Sequence, residues 1–520
     1  MAVTVLVGLN PLQGQAAPPD EPGRPAARLA PGRILVKFRF GLDPNTGRAL
    51  AGAAAASPAP AIDALRVHRF QVPPGRELEH VAKFRANPFV EYAEPDYLVG
   101  VSVVPDDPGV RDNSEWHLNK VEAPAAWDVT TGNDNPVTVA VVDTGIDATH
   151  PDLRGRVVAG YNFVSRRPIT AGEQSDDHYH GTHVAGILGA TGNNGIGGAG
   201  LTWSASLMPV KILGPDGYGT HSDLAEGMIW AANHGARIIN LSLGDPGPSE
   251  QDIQTLKAAI KYVQDKGVLV VAAAGNEASS GNPIEYPAAI DGVLAVGATD
   301  SYDQRAYFSN YHPYVGVAAP GVNISSTVPS GDYRALTGTS MATPIVSGIA
   351  ALILSANPSF TAGQVKDRLQ TTAIDLGAPG RDDHFGFGRV SAARALLTNA
   401  LTVDQSRVTI VAGDRVAGTA SVAVTRRVPG TISWQARSGD AWLTVLGAGS
   451  PRALTSGRLS DQLVLTADPS KLPARPVKGT VQVGALLGDE LLSPQTIEVE
   501  VTLPRVLLPF IGRVSARAAP

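Results

Sequence analysis

From about residue 113 to about residue 400 one pattern recurs: a short run apolar at nearly every position, then a longer stretch with helical spacing. The runs are Val137 to Val142, Leu207 to Leu213, Ile238 to Leu243, Val268 to Ala274 and Val293 to Ala298. A strand with one face in water alternates polar and apolar residues, whereas a strand covered on both faces need not. Covered strands separated by helices specify a parallel sheet within a three-layer α/β domain. In such sheets the residues that do chemistry stand at the carboxyl ends of the strands.

The flanks read differently. Residues 1–32 open with an apolar run, Ala2 to Leu9, then Gly14-Gln15-Ala16, small where a signal peptidase requires it, and continue as a Pro- and Ala-rich linker. No basic leader precedes that run. Residues 33–100 form a small α+β unit: Ile34, Val36, Phe38 and Phe40 alternate with Lys37 and Arg39, followed by a helix over 77–86 and an extended segment over 89–99. The turn formers Val104 to Gly109 predict exposed backbone open to proteolysis. The α/β domain takes 113–400. Beyond 401 the helical spacing stops. Val408 to Ala412, Ala420 to Val424, Thr431 to Trp434, Leu463 to Ala467, Gly479 to Val483 and Thr496 to Leu503 predict an antiparallel sandwich over 401–503. A tail, 504–520, holds the apolar patch Val506 to Ile511. For 520 residues, three or four folding units are the ordinary expectation.

Composition removes several classes of function. The net charge is −6 and no long Lys/Arg run is present, so nothing would neutralise a row of phosphates and nucleic acid is not an expected partner. With no cysteine there is no disulfide, thiolate metal site or cysteine nucleophile. Large exported domains can rely on a core and bound ions instead, and the signal-like run makes export the expectation. No uninterrupted run of eighteen apolar residues occurs, so no membrane span is expected. A monomer is the expected state.

Four segments carry chemistry. Val139-Ala140-Val141-Val142-Asp143-Thr144-Gly145 puts a carboxylate where a buried strand meets a glycine turn, a costly place unless it is hydrogen-bonded. A strand-end Asp also serves as a cap or turn former. His180-Gly181-Thr182-His183 sets an imidazole at a small-residue helix, suited to moving a proton near neutrality. The nearby His178 leaves a metal cluster open as an alternative, but no HExxH spacing supports zinc. Gly338-Thr339-Ser340-Met341-Ala342-Thr343-Pro344 precedes an apolar helix, with Pro344 expected in its first turn and Ser340 at its N-terminus. There the outward amides and the helix dipole favour a developing negative charge. Ser340 alone reads equally as an N-cap. Asn276, after the apolar strand ending at Ala274, could donate to such a charge or shape a turn.

Together, in the order Asp143, His180, Asn276, Ser340, these segments resemble the subtilisin-like serine proteases, the subtilases, from near Glu115 to near Leu397. The resemblance implies a subtilisin-like fold. It makes Ser340 the nucleophile, His180 and not His183 the general base, and Asp143 the group that orients the imidazole. Asn276 and the Ser340 backbone N–H would form the oxyanion hole. Ser242-Leu243-Gly244 would be the edge that pairs with an extended peptide. Gly275 and the 281–286 segment would line the pocket for the residue before the cleaved bond. With glycines there and no evident carboxylate motif, broad preference for large apolar or aromatic side chains is expected.

The resemblance extends to an ion and to the flanks. Asp152 and the loop Gly192 to Gly198 resemble the family's strong calcium site, with Gly192, Asn194, Ile196 and Gly198 as further ligands and Asp107 completing it; a turn-rich loop capped by Asn is the plain alternative. Residues 33–99, above all Val90 to Tyr97, resemble the family's propeptide, an intramolecular inhibitor cut by the enzyme between about 97 and 112. The sandwich resembles BACON-type immunoglobulin-like modules at Ile432 to Ala436, Ala441 to Val445 and Ala467 to Leu472, with Trp434 and Trp442 as core residues. The expectation is a secreted, calcium-stabilised serine endopeptidase, made as an autoprocessed precursor and acting on extended polypeptides. An α/β-hydrolase built on Ser340, Asp375 and His384 would need Gly-x-Ser-x-Gly, and Ala342 breaks that motif. A non-catalytic binding protein would be signalled by a substitution in the constellation, and there is none.

Overall fold

The computed structural model describes residues 29–39, 57–62, 65, 67–73, 76–97, 105–412, 417–446, 452–454, 460–473, 477–488 and 490–502. The signal-like run, the linker up to residue 28, Phe40, Val104, Leu503 and the patch at 506–511 lie outside the described residues.

The N-terminal unit is an antiparallel sheet of β1 (Leu29–Phe38), β2 (Ser57–Ile62), β3 (Val67–Gln71) and β4 (Val90–Tyr97), in the order β2-β3-β1-β4. Helix α1 (Glu77–Arg85) lays Val81 and Phe84 on Ile34, Val36 and Phe70. Strand β1 starts earlier than the alternation at Arg33 indicated. Leu29 pairs with Tyr97, so the end of the expected linker belongs to the sheet.

The central unit is built on eight strands: β5 (Thr138–Asp143), β6 (Gly160–Asn162), β7 (Arg167–Ile169), β8 (Ser206–Lys211), β9 (Ile238–Leu241), β10 (Leu269–Ala273), β11 (Leu294–Thr299) and β12 (Val315–Pro320). Their order is β12-β11-β10-β9-β5-β8-β6-β7, parallel except for the β6–β7 edge. Val139 and Val141 face a layer holding α2 (His180–Gly189), while Ala140 and Val142 face α3 (His221–Asn233) and α4 (Gln254–Asp265). This double covering is why β5 is apolar throughout. After β5 the chain builds β8 on one side and β9 on the other, so the carboxyl end of β5 lies at the switch point of the sheet.

Helix α5 (Thr339–Ala356) packs in the α2 layer, with every residue from Met341 to Ser355 buried. It is long and apolar enough to cross a membrane, which narrows the sequence expectation; Thr343 and Ser347 break the apolar run, and the helix is the core of this domain. Pro344 is its sixth residue, not a first-turn residue as expected. A proline there removes the N–H that the carbonyl four residues earlier would accept. That carbonyl belongs to Ser340, and it accepts from Ser242 Oγ at 2.8 Å instead.

The described part of the turn-forming stretch, 105–109, also departs from expectation. Asp107 and Gly109 are buried, Pro108–Arg111 is helical, and Gly109 N–H donates to Gly197 O at 2.8 Å. Pairing with the 192–198 loop removes this backbone from solvent.

The C-terminal unit is all-β. One sheet comprises Leu401–Val403, Gly418–Arg426, Ser460–Ala467 and Leu443–Leu446; the other comprises Arg407–Val411, Glu490–Thr502, Val477–Leu487, Ile432–Arg437 and Arg452–Leu454. It is not wholly antiparallel: Arg407–Val411 runs parallel to Glu490–Thr502. Most of the sandwich separates the two in sequence, and such a crossover is what parallel pairing needs. Trp434 and Trp442 are buried in its core. The unit joins its neighbour through Thr431 N–H to Asp128 O at 2.9 Å, a two-pronged Arg394–Glu490 pair and a continuous apolar cluster.

Candidate active site

Asp143 closes β5, fully buried. Its carboxylate accepts from Thr144 N–H at 2.7 Å and holds His180 Nδ1 at 2.8 and 3.0 Å. His180 is the first residue of α2. The close approach needs Gly181, where a Cβ would stand 2.1 Å from Gly145 O and 3.2 Å from Asp143 Cβ. Burial works against charge on His180; the charge and hydrogen bond of Asp143, then the charge of Asp176, outweigh it and raise the imidazole above its ordinary value. His183 is different. It is buried, its Nε2 meets Arg334 O at 2.8 Å, and burial pushes it down to about 4.

A residue that sequence reading passed over holds this corner together. Buried Asp176 accepts from Thr144 Oγ1 at 2.8 Å, Thr182 N and Oγ1 at 2.9 and 2.6 Å, and the amides of His178 and Tyr179 at 3.0 and 3.1 Å. It ties the turn after β5 to the start of α2. An acid directly before a histidine cluster was the available signal.

Ser340 is the second residue of α5, half-buried, so its N–H has no acceptor within the helix. Its Oγ donates to Ser242 O at 3.0 Å, the return half of the Ser242–Ser340 exchange. Ser242 in turn is fixed by Asn240 Nδ2 at 2.9 Å, and Asn240 Oδ1 accepts from Ser347 Oγ at 2.8 Å. Asn276 has its orientation set: Oδ1 accepts from Thr339 N–H at 2.8 Å and from Thr339 Oγ1 at 3.0 Å. Its Nδ2 carries no hydrogen bond among the described residues. Gly244 and Asn276 are exposed, and Gly275 has φ +107°. His180, Ser242, Leu243, Gly244 and Tyr286 line one cleft of about 460 Å³.

Around the expected ion site, Asp107 and Asp152 are fully buried and meet at Asn194. Asn194 N–H donates to Asp107 Oδ1 at 3.1 Å and its Nδ2 to Asp152 Oδ1 at 2.9 Å. Gly198 N–H and Tyr333 Oη donate to Asp152 Oδ2 at 3.2 and 2.7 Å, and Ile196 N–H to Asn194 Oδ1 at 3.1 Å. Burial first, then the charges of Asp152, Asp107 and Asp112, push nearby Glu115 up to about 8 although it accepts from Ala199 N–H. A hard cation at this site would face the buried carboxylates of Asp107 and Asp152. Among the described residues no three His, Asp or Glu side chains could hold a metal by themselves, so the shell would need Asn194 and loop carbonyls.

A buried carboxylate–imidazole pair, a serine at a helix N-terminus and an oriented amide, gathered where β5, β9 and β10 end, are what a serine peptidase of the α/β class requires. The subtilase family model matches residues 134–388, and the fervidolysin N-terminal prodomain model matches residues 15–96. A thermophilic serine proteinase of a Bacillus species is 38% identical over 366 residues, 70% of this chain and 87% of that protein. Subtilisin BL of Lederbergia lenta is 46% identical over 281 residues, 54% of this chain and 97% of that protein. The solved structure of a Pseudoalteromonas arctica protease superposes with a TM-score of 0.50 at 33% identity, covering 56% of this chain and 98% of that one. The chain belongs to the subtilase family: it is a subtilisin-type serine protease preceded by a prodomain and followed by a β unit.

Proposed function

We propose that the protein cleaves extended polypeptides through an acyl-enzyme, with Asp143, His180 and Ser340 as the triad. The observation that carries this reading is His180 held at Nδ1 by buried Asp143, which leaves Nε2 as the atom that takes a proton. Ser340 Oγ turns from Ser242 O toward His180, gives up its proton and forms a bond to the substrate carbonyl carbon. The oxyanion is met by Asn276 Nδ2 and Ser340 N–H. His180 then protonates the leaving amine as the C–N bond breaks, and water releases the acyl group by the same steps in reverse. The edge at 242–244, where Gly244 is exposed, supports docking of the substrate as an added strand.

The prodomain match supports synthesis as a precursor in which residues up to about 100 inhibit the enzyme until it removes them. Export is read from Ala2 to Leu9. Asp107, Asp152 and Asn194, with carbonyls of Gly192, Ile196 and Gly198, would hold calcium, which stiffens the 192–198 loop and takes no part in bond cleavage. A BACON-like contact role for the β unit and a monomeric state complete the reading.

A fluorophosphonate probe tests the nucleophile. Peptide mapping is expected to find the adduct on Ser340, with labelling lost in His180→Ala. Equal labelling of parent and His180→Ala contradicts the proposed activation.

A further inference from the structure

Beside the cleft stands a carboxylate with no work in the chemistry above. Glu285 is 5% exposed, and its Oε2 is buried without any hydrogen-bond partner. Its Oε1 lies against the peptide-pairing edge: a Cβ on Gly244 would be 2.1 Å from it. The backbone of Glu285 is fixed by Tyr314 Oη, which accepts its N–H at 3.1 Å and donates to Ala274 O at 3.3 Å, just ahead of Gly275 and Asn276. The neighbouring Asp245 and Tyr286 are bridged through their backbones.

Two more acids share this corner. Burial first, then the charges of Glu277 and Asp245, push Glu285 up to about 8. Glu277 accepts from Asn276 N–H at 2.7 Å and Asn310 Nδ2 at 3.3 Å, and Asp245 faces His221 at 3.3 Å. Among the described residues no Lys or Arg pairs with Glu285, Glu277 or Asp245. A buried, unpaired carboxylate is costly, and a cation brought by the substrate would relieve that cost.

We propose that Glu285 makes this protease select a lysine or arginine immediately before the cleaved bond. The carbonyl under attack sits at Asn276 and Ser340, so the side chain of the residue owning that carbonyl enters between Gly244 and Gly275, and Glu285 closes the path. The apolar preference expected from the glycines is thereby replaced. Glu285 falls in the 281–286 segment already tied to this pocket, but its neighbours along the chain are apolar and nothing local marks it as buried.

The inference rests on the proposed protease site. The test is kcat/KM for the processed enzyme on peptide p-nitroanilides identical except for Arg, Lys, Phe or Leu before the anilide, repeated with Glu285→Gln. The parent is expected to prefer the basic substrates, and the Arg/Phe ratio to fall about 30-fold or more in Glu285→Gln. Preference of the parent for Phe or Leu overturns the proposal even if Glu285→Gln does not fold, and so does an unchanged ratio. Hydrolysis of none of the four overturns the protease reading as well, which separates the two failures.

Discussion

Ser340 and Ser242 exchange hydrogen bonds in both directions: Ser242 Oγ donates to Ser340 O at 2.8 Å and Ser340 Oγ donates to Ser242 O at 3.0 Å. This exchange joins the proposed nucleophile to the first residue of the proposed peptide-pairing edge. It exists because Pro344 cannot supply the N–H that would otherwise occupy the Ser340 carbonyl. Ser242→Ala leaves that carbonyl without its partner. The expected result is a fall in kcat with a smaller change in KM, and a stability loss of about 1–3 kcal/mol in denaturant titration. A change in KM alone would assign Ser242 to substrate binding only.

The acid limb of activity is expected to follow His180, the proposed base. The base must be neutral to work, and a raised value keeps it protonated to higher pH, so kcat/KM begins to fall above the ordinary histidine value of about 6.5. Asp143→Asn removes most of what raises it and leaves only the charge of Asp176 against burial, which lowers it. The limb should then move to lower pH while kcat drops roughly 10⁴-fold. A limb that stays in place would show that another group sets the profile.

Asn276→Ala removes the donor whose orientation Thr339 enforces. A kcat loss of about 100- to 1,000-fold at little changed KM is expected, the size typical of oxyanion-hole donors, subtilisins included. A loss confined to KM would place the amide in ground-state binding.

Calcium removal should act on stability before activity. An ion present at about 100 times its dissociation constant contributes about 2.7 kcal/mol, so chelator should lower Tm by several degrees. Asp152→Asn should make Tm insensitive to chelator. A parent Tm that ignores both calcium and chelator would leave the acids at Asn194 as a hydrogen-bonded turn.

Legibility in the sequence followed the range of the interactions. The buried strands showed because covering on both faces suppresses alternation, and Asp143, His180 and Ser340 showed because each stands at an element boundary with glycine or small residues beside it. Leu29 looks like linker in the sequence because its strand partner, Tyr97, lies far along the chain. The parallel pairing of Arg407–Val411 was hidden for the same reason, since local alternation carries no strand direction. Asp107 looked exposed among turn formers because the amides that bury it belong to the 192–198 loop. Asp176, one of two adjacent acids, and Glu285, a lone one, take their meaning from what folds around them.

The most direct test of the central claim follows intact mass and casein hydrolysis for the purified precursor and its Ser340→Ala form side by side. The parent is expected to lose roughly its first hundred residues and digest casein, while Ser340→Ala stays full length and inactive. Identical processing of both chains, or casein hydrolysis by Ser340→Ala, would contradict Ser340 as the nucleophile that matures and drives this protease.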